Sequence, residues 1–246
     1  MTQLLTYPEI DPQQWQALVE QSPCATWFQT KEAYEFYASN PEEMTPFAFG
    51  VERECTLCAL CVGYVTKERS AIKQYFTRRA IIIGGPVIDE DATAEEVAAL
   101  LNAVKKLQRS DLQPKGRTTA TRSTGLSPIY IETRNFHDYS KWKSVFEANG
   151  FAYQPHYDIH VHCNAQHQMS EQRIRQVKKA LKNGATICEA QSEQEIRDWY
   201  EILYKLYREK VRTPLWSEAF FLHFYSSGVG KYLLVKYQDK VIGGMM

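Results

Sequence analysis

The sequence lacks an excess of charge of either sign. It has 29 lysine and arginine residues and 29 aspartate and glutamate residues among its 246 positions. A balanced chain produces no overall field that would attract a polyanion, so electrostatic recognition must depend on local clusters. We therefore expect no DNA partner.

Long apolar runs are also missing. The longest, residues 80–85, is far shorter than the roughly 20 residues that a membrane-spanning helix needs. The first residues show no basic stretch followed by an apolar one, so no export signal is recognised. We expect a cytoplasmic protein without a transmembrane segment, with peripheral contact to a membrane surface as an open alternative.

The sequence has six cysteines but no recognised export signal, so free thiols are expected rather than a disulfide framework. The spacing Cys55-x2-Cys58-x2-Cys61 is compatible with a metal or iron–sulfur site. Residues 57–65, however, are predicted to form a strand, in which side chains three positions apart point to opposite faces. Small buried side chains are therefore favoured over metal ligands.

A second pattern that is compatible with a metal site occurs at residues 153–163, and it is rich in histidine. If these residues form a strand, His156, Asp158, His160 and His162 share one face. Two histidines on one strand can share a metal, but metal sites normally draw ligands from several elements. A polar solvent face explains the same alternation, so we predict no metal site.

Helical and strand-like patterns alternate along the chain. Asp11-Pro12 is a helix start, and Thr93-x-x-Glu96 is a capping box before an apolar stripe. Residues 80–85 are predicted to form a strand buried on both faces. Residues 129–135 form another strand, with polar side chains at the carboxyl end, where α/β proteins bind ligands. The pattern indicates an α/β (α+β) fold with a mixed sheet.

The sequence contains an internal repeat of one structural pattern. Residues 23–27, 36–39 and 47–65 contain a Pro and a Trp, an aromatic helix and a strand hairpin. Residues 214–246 contain the same succession. We expect a first domain at 1–165, a basic connecting helix and linker at 166–190, and the first part of a second, truncated domain at 191–246.

Basic residues are concentrated in three segments: residues 111–127, residues 170–183 and the end of the helix that follows Ser192. The first is predicted to be a surface loop and the second a helix that joins the two copies. In the third segment, Arg208 and Arg212 are candidates to contact an anionic substrate, whereas core packing explains the aromatic part of that helix.

With these elements in place, the chain resembles the GNAT acyltransferase superfamily, and within it the Fem-type (FemA/FemB-like) aminoacyltransferases that form peptidoglycan bridges. The segments that carry the resemblance are Tyr75-Phe76 with Arg79-Ala80-Ile81-x-x-Gly84-Gly85-Pro86, Ile129 to Asn135, Gly150-Phe151, Pro214-Leu215-Trp216 with Phe220-Phe221, and Val241-Ile242-Gly243-Gly244. The resemblance implies two tandem GNAT-like domains with mixed, mostly antiparallel sheets flanked by helices. It also implies a bacterial transferase acting in cell-wall synthesis.

The resemblance implies an acyl donor as well, either aminoacyl-tRNA or an acyl-CoA. GNAT enzymes that use acetyl-CoA hold its pyrophosphate in a glycine-rich turn after the central strand. Residues 62–70 contain no such turn, so no cofactor cradle is visible. The basic helix at 170–183 is the segment that stands where tRNA contact would be expected.

The expected chemistry is acyl transfer to an amine of an anionic cell-wall precursor, for which no nucleophile triad is required or found. We leave the catalytic residues unassigned. The alternatives are a small-molecule N-acetyltransferase that uses acetyl-CoA and a non-catalytic binding module. Surface ion pairing is the competing explanation for each arginine. The candidate substrate-binding residues are Lys31, Arg78, Arg79, Gly84, Gly85 and Arg134, together with Arg208 and Arg212.

Overall fold

The computed structural model describes residues 2–67, 77–108, 127–155, 157, 159 and 169–246. The chain divides into two compact units, Met1–Asp158 and Ile159–Met246. The predicted histidine strand and the predicted loop at 111–127 fall largely outside the described residues, as does Tyr75-Phe76.

The first unit is built on a six-stranded sheet. Its elements are β1 (Thr2–Thr6), α1 (Pro12–Gln21), α2 (Lys31–Ala38), β2 (Met44–Arg53), β3 (Thr56–Thr66), β4 (Arg79–Gly84), β5 (Val87–Ile88), α3 (Ala94–Lys105), β6 (Tyr130–Asn135) and α4 (Lys143–Ala148). The strand order is β1-β2-β3-β4-β6, and β5 also pairs with β3. The pairs are antiparallel except β4 with β6, which run parallel.

Local sequence explains where the helices of this unit begin. The Asp11 carboxylate accepts hydrogen bonds from the backbone N–H groups of Gln13 and Gln14, with Pro12 at the first helical position. Thr93 and Glu96 form the predicted capping box at the start of α3. Both helix starts predicted from sequence are therefore confirmed.

Helices lie on both faces of the first sheet. The stripe on α3 packs against β2, β3 and β4, and Leu100 and Val104 are fully buried there. Burial of each such side chain contributes about 1.5–3 kcal/mol. On the other face α2 contacts the sheet, where the rings of Tyr37 and Tyr64 lie 4.8 Å apart. The central strand β3 is therefore buried on both faces, and its Cys58 and Cys61 are core residues.

The second unit contains α5 (Glu171–Lys182), β7 (Thr186–Glu189), α6 (Glu193–Leu206), a π-helical turn (Tyr207–Val211), α7 (Glu218–Ser227), β8 (Leu233–Tyr237) and β9 (Lys240–Met245). Its three strands form an antiparallel sheet in the order β7-β8-β9. Aromatic rings fill its core, where the ring centre of Trp199 lies 5.5 Å from that of Phe221 and 5.2 Å from that of Tyr232. The predicted α/β class with mostly antiparallel sheets flanked by helices is confirmed.

The repeat predicted from sequence is present in the structure. The succession of strand, two helices and hairpin in β1-α1-α2-β2-β3 recurs in β7-α6-α7-β8-β9. Each hairpin turns through two non-glycine residues with positive φ, Glu54-Cys55 in one copy and Gln238-Asp239 in the other. Each also has a bulge two residues from the strand end. In the structure each copy of the repeat begins earlier, at β1 and at β7. The repeat recognised in the sequence, which began at residues 23 and 214, did not include these strands.

Candidate functional site

The parallel strands β4 and β6 carry most of the candidate residues of the first unit. Arg79 is in register with Tyr130, Ile81 with Glu132, and Ile83 with Arg134. The intervening residues of β4, such as Ile82, pack in the core with α3. Because side chains alternate along a strand, the charged residues lie on the opposite face of the sheet.

Two arginines flank one carboxylate on this face. Arg134 Nε donates a hydrogen bond of 2.6 Å to Glu132 Oε1, and Arg79 Nη1 lies 3.7 Å from Glu132 Oε2. Arg79 Nη1 also donates to the hydroxyl of Tyr130 at 3.4 Å, which raises the pKa of Arg79. The three charged side chains are 30–45% exposed. We call Arg79, Tyr130, Glu132 and Arg134 the arginine cluster; it carries one net positive charge.

The arginine cluster can change partners at low cost. Ion pairs at this exposure contribute about 0–1 kcal/mol because water screens them. A phosphate or carboxylate of a substrate can therefore compete with Glu132 for the guanidinium groups. Tyr64 borders the cluster, and burial raises its pKa to about 12, although the two arginines oppose the shift. It is a neutral hydroxyl at physiological pH.

Arg78 and Lys31 have surroundings different from those of the cluster. Arg78 is 8% exposed, its carbonyl accepts a hydrogen bond from Ile129 N at 2.8 Å, and desolvation lowers its pKa. Lys31 lies in the first turn of α2 and forms an ion pair with Glu35, which raises the pKa of Lys31. The structure thus brings Arg79 and Arg134 together and gives Arg78 and Lys31 separate contacts.

Gly84 is the last residue of β4 and Gly85 follows it, and φ is +84° at each of the two residues. Two protein side chains bond to the backbone of this turn. Gln29 Nε2 donates to the carbonyls of Ile83 at 2.9 Å and Gly85 at 3.1 Å. The hydroxyl of Tyr139 donates to the carbonyl of Pro86 at 2.7 Å. These contacts hold the turn after β4 next to the carboxyl end of β6.

Arg208 and Arg212 belong to the second unit, where both lie in or just after the π-helical turn. Arg208 Nη2 is 3.3 Å from Glu209 Oε1, and its guanidinium lies 6.0 Å from the Tyr204 ring centre. Arg212 has a left-handed conformation with φ of 59° and closes the turn. Both side chains face solvent.

The basic helix α5 forms where the sequence predicts it. Ser170 caps its start, and none of its residues is buried. Its basic residues are Arg173, Arg175, Lys178, Lys179 and Lys182. Among the described residues, no group of three histidine, cysteine, aspartate or glutamate side chains could hold a metal ion. In the same part of the chain no helix is long and apolar enough to cross a membrane.

Sequence reasoning missed the residues that shape this site. Gln29 stands three positions after Thr26 and forms a capping box with it, a signal that was available. Its bonds to Ile83 and Gly85 join residues more than 50 positions apart, and no local pattern predicts them. The pairing of Arg79 with Glu132 likewise depends on the parallel register of β4 and β6.

Comparison with known proteins supports the fold. No protein-family model matches the chain, and no curated protein is similar to it in sequence. Among solved structures, FemX matches 95% of this chain and 57% of its own, with a TM-score of 0.55 and 14% identity. A probable acetyltransferase matches 68% of this chain and 99% of its own (TM-score 0.40, 13% identity). Glucosamine-6-phosphate N-acetyltransferase from Arabidopsis thaliana matches 67% and 99% (TM-score 0.36, 11% identity).

The fold of this chain is similar to that of FemX, and the chain spans little more than half of the FemX length. Of the three similarities, FemX alone has a TM-score above 0.5. The similarity to FemX shows the fold alone, and it agrees with the predicted α/β fold class. The Fem-type assignment concerns the activity of the protein and stays a prediction.

Proposed function

We propose that the protein is a Fem-type acyltransferase that passes an aminoacyl or other acyl group to an amine of an anionic cell-wall precursor. The observation that carries the proposal is the similarity to FemX over 95% of the chain. The arginine cluster on β4 and β6 supports it with two exposed cations that can bind an anionic substrate. In this proposal the protein acts in the bacterial cytoplasm, where peptidoglycan precursors are made.

The chemistry requires little from side chains. The neutral amine nitrogen attacks the acyl carbonyl and forms a C–N bond, while the bond from carbon to the ester oxygen or thioester sulfur breaks. The leaving group takes the electron pair, and the amine loses its proton to solvent. Orientation of the two substrates supplies much of such an acceleration. We assign no catalytic residue, and the donor is aminoacyl-tRNA or an acyl-CoA.

The precursor binds, in this proposal, by replacing Glu132 as the partner of Arg79 and Arg134. Both guanidinium groups lie on one sheet face and are partly exposed, so a phosphate or carboxylate can reach them from solvent. A charge-assisted hydrogen bond contributes about 1.5–3 kcal/mol. Glu132 competes for the same donors, so its carboxylate should weaken anion binding.

Isothermal titration calorimetry with a muramyl-peptide precursor tests this proposal. We expect Arg79→Ala and Arg134→Ala each to weaken binding about tenfold. Glu132→Gln should strengthen it. Arg197→Ala is the matched control, because the Arg197 side chain has the same 39% exposure as Arg79 and also pairs with acidic residues. Unchanged affinity in both arginine variants would contradict the proposed precursor site.

Thermal-shift measurements separate the competing functions. Stabilisation by the precursor together with aminoacyl-tRNA would support Fem-type transfer, whereas a response to acetyl-CoA would favour a small-molecule N-acetyltransferase. No response to any donor would favour a non-catalytic binding module. If tRNA binds, α5 is the proposed contact, so replacing Lys178 and Lys179 by Gln should lower the salt dependence of tRNA affinity.

A further inference from the structure

Helix α5 presents aliphatic side chains to solvent. None of its residues is buried, and Val177 is 41% exposed and Leu181 52% exposed. The helix precedes β7, where the second copy of the internal repeat begins, so it lies outside the elements that the two copies share. The aromatic core of the second unit therefore forms without any side chain of α5.

The apolar residues of α5 form one narrow stripe. At 3.6 residues per turn, Ile174, Val177 and Leu181 lie within about 60° of one another around the helix axis. Arg173 and Lys178 lie about 40° beyond the two edges of this stripe. Long basic side chains can lay their methylene groups along an apolar surface and keep the charge in a polar layer. We call these five residues the basic stripe.

The charge on α5 is strongly positive, although the whole chain is neutral. The helix has five basic residues and one acidic residue, Glu171. Glu171 pairs with Arg175 at 2.9 Å, on the side of the helix away from the stripe. The Arg173 guanidinium donates instead to the neutral amide oxygen of Gln176, at 3.5 Å. The acid of α5 therefore does not neutralise the cations that border the stripe.

An anionic lipid surface is complementary to both features of the basic stripe. Its headgroup phosphates attract the two cations, and the hydrocarbon just beneath them accepts aliphatic side chains. RNA would attract the same cations, but it would leave Val177 and Leu181 in water. The aliphatic centre of the stripe therefore favours lipid over nucleic acid.

We propose that α5 docks peripherally on an anionic lipid surface through the basic stripe. The helix lies parallel to the surface, with Leu181 and its aliphatic neighbours below the phosphates and with Arg173 and Lys178 at their level. Arg175 and Lys179 lie on the opposite side of the helix and face away from the lipid. Only three aliphatic side chains insert, so docking is weak and reversible and needs the charges as well. It does not involve the arginine cluster or the proposed acyl transfer.

Vesicle sedimentation with the full chain tests this docking. We expect binding to phosphatidylcholine vesicles that contain about 30% phosphatidylglycerol, and binding at least about tenfold weaker to phosphatidylcholine alone. Each cation near such a surface strengthens binding about fivefold, so Arg173→Gln combined with Lys178→Gln should weaken it about 30-fold.

A matched pair of substitutions on the other side of α5 is the control for charge. Arg175→Gln combined with Lys179→Gln removes the same charge, but from a position about 10 Å farther from the lipid. That distance is about one Debye length at 0.1 M salt, so we expect only about a threefold loss. An equal loss in the two double variants would overturn the proposal, because binding would then depend on net charge alone.

A second pair of variants tests the aliphatic contact. Leu181→Ser should weaken vesicle binding at least about threefold, whereas Leu206→Ser on α6 should not, although both leucines are exposed. Unchanged affinity of Leu181→Ser, or no binding of the wild-type chain to anionic vesicles, would overturn the proposal. So would a double variant at Arg173 and Lys178 that loses tRNA binding but keeps vesicle binding, because α5 would then be a nucleic-acid contact.

Discussion

Gln29 offers the sharpest test of how the turn after β4 is held. Its side chain is 1% exposed and makes four hydrogen bonds. Its Oε1 accepts from the backbone N–H and hydroxyl of Thr26, and its Nε2 donates to the carbonyls of Ile83 and Gly85. Gln29→Leu keeps a similar volume and removes all four bonds, so the loss of hydrogen bonding dominates its effect.

The expected loss follows from the four bonds. Each contributes about 1 kcal/mol net, and a buried carbonyl left without a donor costs about 1–3 kcal/mol. Thr26 is only partly buried, so water can replace part of the hydrogen bonding that its N–H and hydroxyl groups would lose. We therefore expect Gln29→Leu to lower the free energy of unfolding by about 2–4 kcal/mol. Gln16→Leu is the control, because Gln16 bonds to Glu20 on the exposed surface of α1 and its loss should stay within about 0.5 kcal/mol.

A Gln29→Glu variant adds a dependence on pH with a defined sign. The new carboxylate would face two carbonyl oxygens in a buried site, so its pKa would rise above the unfolded value of about 4.3. The folded state would then bind more protons than the unfolded state, and stability would fall as pH rises from about 4 towards the folded pKa.

Urea denaturation followed by circular dichroism at pH 4.5 and 7.5 measures these effects. A loss below about 1 kcal/mol in Gln29→Leu, with unchanged m-value, would refute the role given to Gln29. So would a Gln29→Glu variant whose stability relative to wild type is the same at both pH values.

The remaining predictions concern glycine and cysteine. Gly84→Ala should cost more than Gly184→Ala by at least about 1 kcal/mol in urea denaturation, because both have positive φ but the new Cβ would lie 2.0 Å from Gln29 Nε2 at the first site and meet nothing within 4 Å at the second. Equal costs would contradict the packing. In Ellman assays at pH 8 the exposed Cys55 should react at once, whereas Cys58 should react only on unfolding, because burial raises its pKa to about 11. Rapid reaction of both thiols in the folded protein would contradict the burial of Cys58.

Local signals predicted much of the fold. The cap at Asp11 and the box at Thr93 and Glu96 depend on residues two or three positions apart, which a sequence displays directly. The strand over residues 80–85 was recognisable because a run of β-branched residues can be buried on both sheet faces. These elements alternate between helix and strand, so the α/β class followed from them.

Long-range pairing limited what could be predicted of the site. Arg79 and Arg134 were each singled out, but Glu132 was not recognised as the acid between them. That arrangement depends on a parallel register across 51 positions. Gly84 and Gly85 were singled out as candidate substrate-binding residues, and that role stays a prediction. No local pattern indicated that the Gln29 side chain would bond to the carbonyl groups of Ile83 and Gly85.

The two hairpins explain why the repeat survives where sequence identity does not. Glu54-Cys55 and Gln238-Asp239 all have positive φ, which costs about 1–2 kcal/mol for each non-glycine residue. The turn and the bulge beside it set the register of the two strands, and a slip by one residue would send every side chain to the wrong face. Selection can therefore change side chains while the backbone register stays the same. Equivalent positions in the two hairpins therefore keep the same register and the same bulge although their side chains differ.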